Sequence, residues 1–215
     1  LIVAIAKRAK RKPTAPRSAP KQERAVQTRE RLLDIAGGLL AEVGIERIST
    51  NMIAARAGVS PATLYRYFKD KYAVLEALGR RLMDRQNKAL FDWLDTHKSG
   101  GLEALSAHTE DLLRATADVT AIEPGGVWIE RALRAVPQLT HVRVESHREV
   151  TDVMLEAYAP LLPRMSRKTL WRRLRMSVEL GYAIDEMLIE EDRIPRDEIF
   201  REAAVLFAGI SLEEE

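Results

Sequence analysis

An all-α fold follows from three features of the 215-residue sequence. No stretch alternates apolar and polar residues with the β-branched enrichment of a half-buried strand. Apolar side chains recur instead at spacings of three, four and seven, the mark of one helical face. Glycine and proline clusters cut the chain into segments of helical length, about nine of them, with no internal repeat and no coiled-coil heptads.

Residues 1–22 read as a flexible basic tail. Pro13, Pro16 and Pro20 interrupt any helix, and from Ala6 to Gln22 large apolar side chains are almost absent. The tail holds Lys7, Arg8, Lys10, Arg11, Lys12, Arg17 and Lys21 and no acid, so it could meet phosphates without regard to sequence or stay solvated as a leader. Helical periodicity begins at Glu23, with Val26, Leu33, Ala36, Leu40 and Val43 on one face and Gly44 as the stop. Gly37 and Gly38 weaken that helix and point to a neighbouring helix in close approach. Ser49 or Thr50 caps a short helix carrying Met52, Ile53 and Ala57, and Gly58 supplies the positive φ of a tight turn. Ser60 caps the next helix, Pro61 to Phe68, with proline in the first turn, where its missing N–H does no harm.

Beyond Lys71 the breaks predict helices over 71–96, 102–121, 127–135, 138–159 and 166–191, and a last one from Pro195 to about 212. The expected division is a tail (1–22), a helix-turn-helix domain (23–70) and a larger helical domain (71–215).

Composition excludes several classes of protein. There is no cysteine, which removes disulfides, thiolate metal sites and cysteine nucleophiles and is compatible with a cytoplasmic protein. The opening apolar run is six residues long and precedes its basic cluster, the reverse of a secretory signal, and no run approaches a membrane span. Neither a phosphate-binding glycine loop nor a histidine paired with a nucleophile in a recognisable motif is present, so no catalytic residue and no cofactor is expected. His141, Glu145 and Glu149 share a helical face but lack metal-ligand spacing, and no metal is expected.

Charge is divided. Residues 1–98 carry 20 Lys and Arg against 10 Asp and Glu, whereas the remainder carries 14 against 22. A basic front on an acidic remainder suits one part that meets a polyanion and another with a different task.

The pair of short helices across Gly58 is where the sequence carries chemistry. Two such helices can set the second into a DNA major groove. Thr63, Tyr65, Arg66, Tyr67, Lys69 and Lys71 offer hydroxyls and cations to phosphates and base edges, while Ala62 and the Thr63 methyl could touch a thymine methyl. An ordinary helical hairpin with an aromatic core stripe is the plainer alternative.

The run Ile53-Ala54-Ala55-Arg56-Ala57-Gly58-Val59-Ser60-Pro61-Ala62-Thr63-Leu64-Tyr65-Arg66-Tyr67-Phe68-Lys69-Asp70-Lys71, followed by Leu75, resembles the DNA-binding signature of the tetracycline-repressor (TetR) family of bacterial regulators. Leu40, Gly44 and Ile48-Ser49-Thr50 extend the likeness over residues 24–75. The resemblance implies a homodimer that binds operator DNA through an N-terminal three-helix domain and holds a small molecule in a C-terminal helical domain. Carried over position by position, the DNA-facing residues are Thr50, Asn51, Ser60, Ala62, Thr63, Tyr65, Tyr67 and Lys71. Tyr67 stands where many relatives have His, Ile45 where an aromatic is frequent, and Tyr72 where an acid is frequent.

For the second half, Leu170, Leu174, Ser177, Gly181, Ile184 and Leu188 form a stripe with small residues at its middle, and the last helix adds Leu206 and Ile210. Together these are the candidate dimer interface, unless both stripes pack on their own domain. Phe91, Trp93, Trp128, Met154, Tyr158 and Tyr182 are the candidate pocket residues, with Trp171 and Met187 beside them, unless they fill the core. Glu123, Arg131, His108 and His141 are candidates to orient a partly apolar effector.

Three functions remain open from sequence. The leading one is a ligand-responsive transcriptional regulator, most simply a repressor released by its effector. The second is a DNA binder that answers to a protein partner or has an architectural role. The third is an all-α small-molecule carrier or enzyme with a fortuitous turn.

Overall fold

The computed structural model describes residues 19–209. Ten α-helices and three short 3-10 turns make up its regular structure, with no strand among the described residues. In order they are α1 (Ala19–Arg47), α2 (Thr50–Ala57), α3 (Pro61–Tyr65), α4 (Lys71–His97), α5 (Gly101–Ala107), α6 (Thr109–Ile122), α7 (Gly126–Ala135), α8 (Thr140–Tyr158), α9 (Arg167–Glu190) and α10 (Arg196–Gly209). The all-α expectation holds.

Local chemistry explains the boundaries. Helix α1 starts at Ala19 rather than Glu23, because Pro20 falls in the first turn, where no intrahelical N–H is required. Most of the expected tail, residues 1–18, lies outside the described residues. Gly44 has φ 74° and breaks the α1 path as expected. The Ser49 hydroxyl accepts from Met52 N at 3.3 Å, the Ser60 hydroxyl from Thr63 N at 3.2 Å, and the Asp70 carboxylate from Ala73 N at 2.8 Å. Each of these caps satisfies one orphan donor at a helix start.

Two boundaries differ from the sequence reading. Regular α3 stops at Tyr65, although Tyr67 N and Phe68 N still donate to Leu64 O, so the chain stays turned as far as Phe68. The single helix expected over 102–121 is divided at His108, whose φ/ψ of −104°/15° leaves the helical region. There the indole N–H of Trp93 donates to His108 O at 2.8 Å.

Helix α4 is the spine. Its first half closes the head formed with α1–α3, where Leu32, Leu33, Leu40, Ile53, Leu64, Phe68, Val74 and Leu78 make one core. That core continues without interruption into Ile129 and Leu133 of α7 and Val142 of α8, so the head is packed directly onto the body. A second core joins the far half of α4 to α5, α8 and α9 through Trp93, Leu105, Met154 and Leu170, and a third joins α6 to α10 through Leu113 and Phe200.

Candidate nucleic-acid interface and ligand cavity

In the head, the apolar side of the helix-turn-helix is consumed by the core: Ile53, Ala57 and Leu64 are buried. Gly58, at φ 66°, donates to Ala55 O, and Val59 N donates to Ala54 O, which turns the chain between α2 and α3. Asn51, Ser60, Ala62 and Tyr65 are exposed, and Thr50 and Thr63 are half-buried at the same surface. The hydroxyls of Thr50 and Tyr65 lie 3.1 Å apart, which ties the start of α2 to the end of α3. Hydroxyls, an amide and a methyl on one outward face are the groups that phosphates and base edges accept.

Ser60, Tyr67 and Lys71 are likewise engaged within the chain. Ser60 is occupied as the α3 cap and also bonds Thr63 Oγ1 at 2.9 Å. Tyr67 is half-buried against the head core, with its ring 6.4 Å from that of Phe68. Lys71 donates to Ile45 O at 3.4 Å and lies over the Tyr72 ring.

In the body, a cavity of about 860 Å³ opens among α4, α5, α6, α8, α9 and α10. Of the expected pocket residues, Trp93, Met154, Tyr158 and Tyr182 line it. Phe91 packs instead on the second core, and Trp128 is exposed on α7 beneath the Arg131 guanidinium. Trp171 and Met187 also lie off the lining, with the Trp171 indole donating to Asp152 at 2.7 Å.

None of the four expected orienting groups reaches the cavity. Glu123 is buried under Arg81 and Arg85, Arg131 pairs with Glu186 and Glu190, His108 with Asp111, and His141 with Glu76. The polar lining comes from residues that sequence reading missed: Gln86, Asn87, Ser106, Thr109, Thr116, Arg173 and Asp185. The one available signal was Asp185 itself, an acid in register with Leu174, Ser177, Val178 and Gly181 on the inward face of α9.

The expected dimer stripe turns largely inward. Leu170 and Leu174 are buried, Leu174, Ser177 and Gly181 line the cavity, and Ile184 and Leu188 pack on the third core. Leu170 and Leu174 are thus spent inside their own subunit, whereas Ser177, Gly181, Ile184 and Leu188 stay half-buried. Leu206 stays outward, 67% exposed, and Ile210 lies outside the described residues. The outward face of α9 carries Arg172, Met176, Leu180 and Ala183 at spacings of four, four and three, and Val205 and Leu206 are exposed on α10.

A third feature joins the two sites. Helix α6 lines the cavity with Thr109, Leu112, Leu113 and Thr116 and ends at Glu123, whose side chain is fully buried. Arg81 holds that carboxylate at 2.5 Å and, through its other nitrogen, Glu30 at 3.1 Å and Asp34 at 2.8 Å on α1. Arg85 binds the second Glu123 oxygen. The following turn, Pro124–Gly125, lies against Gly37 of α1, so the approach is made by a turn rather than by a helix.

Comparison with known proteins agrees with this architecture. Residues 32–78 match the family model described as "Bacterial regulatory proteins, tetR family". An HTH-type transcriptional regulator of Staphylococcus aureus (strain bovine RF122 / ET3-1) is 49% identical over 47 residues, 22% of this chain and 25% of that protein. The chain thus matches about a quarter of the length of its curated relatives. A tetR-family transcriptional regulator from Streptomyces coelicolor has a similar fold, with TM-score 0.66 and 20% identity, over 86% of this chain and 80% of that one. A tetR-family regulator structure from Mesorhizobium loti gives TM-score 0.67 and 16% identity over 87% and 96%. Among the described residues no helix is long and apolar enough to cross a membrane.

Proposed function

From a chain whose residues 32–78 match the model of the tetR family of bacterial regulatory proteins, we propose a transcriptional regulator that binds operator DNA as a homodimer and answers to a small molecule held in the body cavity. It acts in the cytoplasm as a binding protein rather than an enzyme, and repression relieved by the effector is its simplest mode.

The observation that carries the reading is the outward face of α2 and α3. Its core side is packed, yet Asn51, Ala62 and Tyr65 are exposed, with Thr50 and Thr63 half-buried beside them, at the surface a groove would meet. In a dimer, two such helices read half-sites about 34–36 Å apart, one turn of duplex, or a compatible multiple. The outward stripe of α9 and α10, centred on Met176, Leu180, Val205 and Leu206, is the surface that best suits the partner subunit.

Coupling between the sites follows from α6. A ligand that binds better to one placement of α6 moves the Glu123–Gly125 end, and with it the α1 backbone at Gly37 and the acids that Arg81 holds. A small rotation of each head is enough to spoil simultaneous contact with two half-sites.

Two measurements test the reading. Selection of oligonucleotides from a random duplex pool should return a two-fold symmetric site with a half-site spacing near one helical turn. Sedimentation should give a dimer both free and on that duplex. Enrichment of asymmetric or unrelated sequences, or a monomer throughout, would overturn it.

A further inference from the structure

Asp185 is an acid on the cavity wall. It lies on α9 at 7% exposure and lines the cavity, and among the described residues nothing donates a hydrogen bond to its carboxyl or forms an ion pair with it. Its polar neighbours are already committed. The Gln86 amide donates to Thr120 at 2.9 Å and Glu130 at 2.7 Å, and its oxygen accepts from the Tyr182 phenol at 3.3 Å. Asn87 accepts from Ser146 at 3.0 Å. The Asp185 carboxyl opens onto the cavity rather than into packed protein, so an incoming donor or cation can reach it.

We propose that the cavity takes a largely apolar molecule bearing a positive charge, with the Asp185 carboxylate as its counter-ion. The proposal rests on reading the cavity as the effector site and names the chemistry of the effector. Trp93, Leu105, Met154, Tyr158 and Leu174 supply apolar walls, and 860 Å³ suits an occupant of drug-like size. Glu130, behind Gln86, adds a second negative charge at the same end. Arg173 also reaches the lining, but twelve residues along α9 from Asp185, about 18 Å by helical rise. Burial and Glu130 push the Asp185 carboxyl up to about 8, against the pull of Arg196 and Arg134, so the empty cavity holds it largely neutral near pH 7. An incoming cation then forms the pair as the Asp185 proton leaves to solvent.

Tetraphenylphosphonium and tetraphenylborate, ions of one shape and opposite charge, provide the test. Each is titrated calorimetrically into the full chain and into Asp185→Asn at about pH 8.5, where the parent carboxyl is ionised. The phosphonium should bind at least about tenfold more tightly than the borate, and Asp185→Asn should cost it about tenfold or more while leaving the borate unchanged or improved. Circular dichroism confirms that the variant folds, with Asp185→Ser as a second substitution should Asn disturb the site. Equal binding of the two ions, or phosphonium binding indifferent to both variants, overturns the charge assignment and leaves the effector cavity standing. A preference for borate that is abolished by Arg173→Gln overturns it in favour of an anion at the other end. If neither ion binds, the cavity fails as an effector site as well.

Discussion

Gly37 and Gly125 lie backbone against backbone: a Cβ on Gly37 would collide with the Pro124 carbonyl, and one on Gly125 with the Gly37 carbonyl. Glycine is required at Gly125 twice over, since its φ is 72°. This contact adds a backbone-to-backbone approach to the apolar packing between α1 and the body.

Adjacent glycines in α1 should therefore respond in opposite directions. A Cβ added at Gly38 would meet nothing within 4 Å, so Gly38→Ala gains helix propensity and should stabilise by roughly 0.5–1 kcal/mol. Gly37→Ala must push the Pro124–Gly125 turn away and should destabilise by about 1–3 kcal/mol. Urea denaturation of the two variants checks the pair, and an equal response from both would mean that the turn does not rest on α1.

Glu123 should be intolerant of even an isosteric change. Its fully buried carboxylate is held by Arg81, which is 10% exposed, and by Arg85. Glu123→Gln removes the charge but leaves Arg81 buried with only Glu30 and Asp34 as anionic partners. A loss of about 3 kcal/mol is expected by denaturation, at the low end for a broken buried pair.

On the DNA face, Tyr65→Phe and Thr63→Ala should each weaken binding to the selected duplex by about 1–3 kcal/mol. Tyr65 is 50% exposed and Thr63 half-buried, so thermal stability should hardly move. Fluorescence anisotropy gives the affinity, and unchanged binding in both variants would take α3 out of the groove.

How far these sites were legible in sequence depends on whether the signal was backbone or packing. Gly44 and Gly58 announced their turns because positive φ selects glycine, and Ser49 and Ser60 announced helix starts because short polar side chains cap them. The division at His108 was not legible, since it accompanies a bond from Trp93, fifteen residues upstream. Nor could the two stripes of α9 be assigned to inside and outside. Leu174–Ser177–Gly181 and Met176–Leu180–Ala183 are both apolar at helical spacing, and only the placement of α4, α8 and α10 decides which is covered. Trp93 and Trp128 differ in the same way: one residue type, one turned into the cavity and one outward under Arg131.

That assignment separates dimer from cavity by mutation. Gly181 opens on the cavity with no atom within 4 Å of an added carbon, so Gly181→Leu should leave the oligomeric state unchanged and abolish binding of an apolar probe. Met176→Glu with Leu180→Glu should do the reverse, weakening the dimer more than about a hundredfold through two lost apolar contacts of ~1.5–3 kcal/mol each. Sedimentation equilibrium reads the first property and calorimetry the second. A Gly181→Leu monomer would return the interface to the inward stripe.

The last prediction concerns pH and pits two buried groups against each other. Asp185 is raised from 3.8 to about 8, so between those values the folded state holds a proton that the unfolded chain has released. Its contribution therefore falls as pH rises, by up to about 1.4 kcal/mol per unit. His147 is lowered from 6.5 to about 4, chiefly by burial, although its ring lies 3.1 Å from Glu179. Between about pH 4 and 6.5 the unfolded chain binds the proton there and the folded state does not, so this contribution rises with pH. The two slopes oppose each other below pH 6.5, and above it Asp185 acts alone. Burial also raises Glu130, which adds to the Asp185 direction at the acid end of the range. In Asp185→Asn relative to the parent, stability should gain steadily from about pH 5 to 8 and then level off, a shape that cancels the shared groups not coupled to Asp185. Denaturation midpoints over that range check it, and a difference that stays flat with pH would place the Asp185 proton equilibrium at its ordinary value.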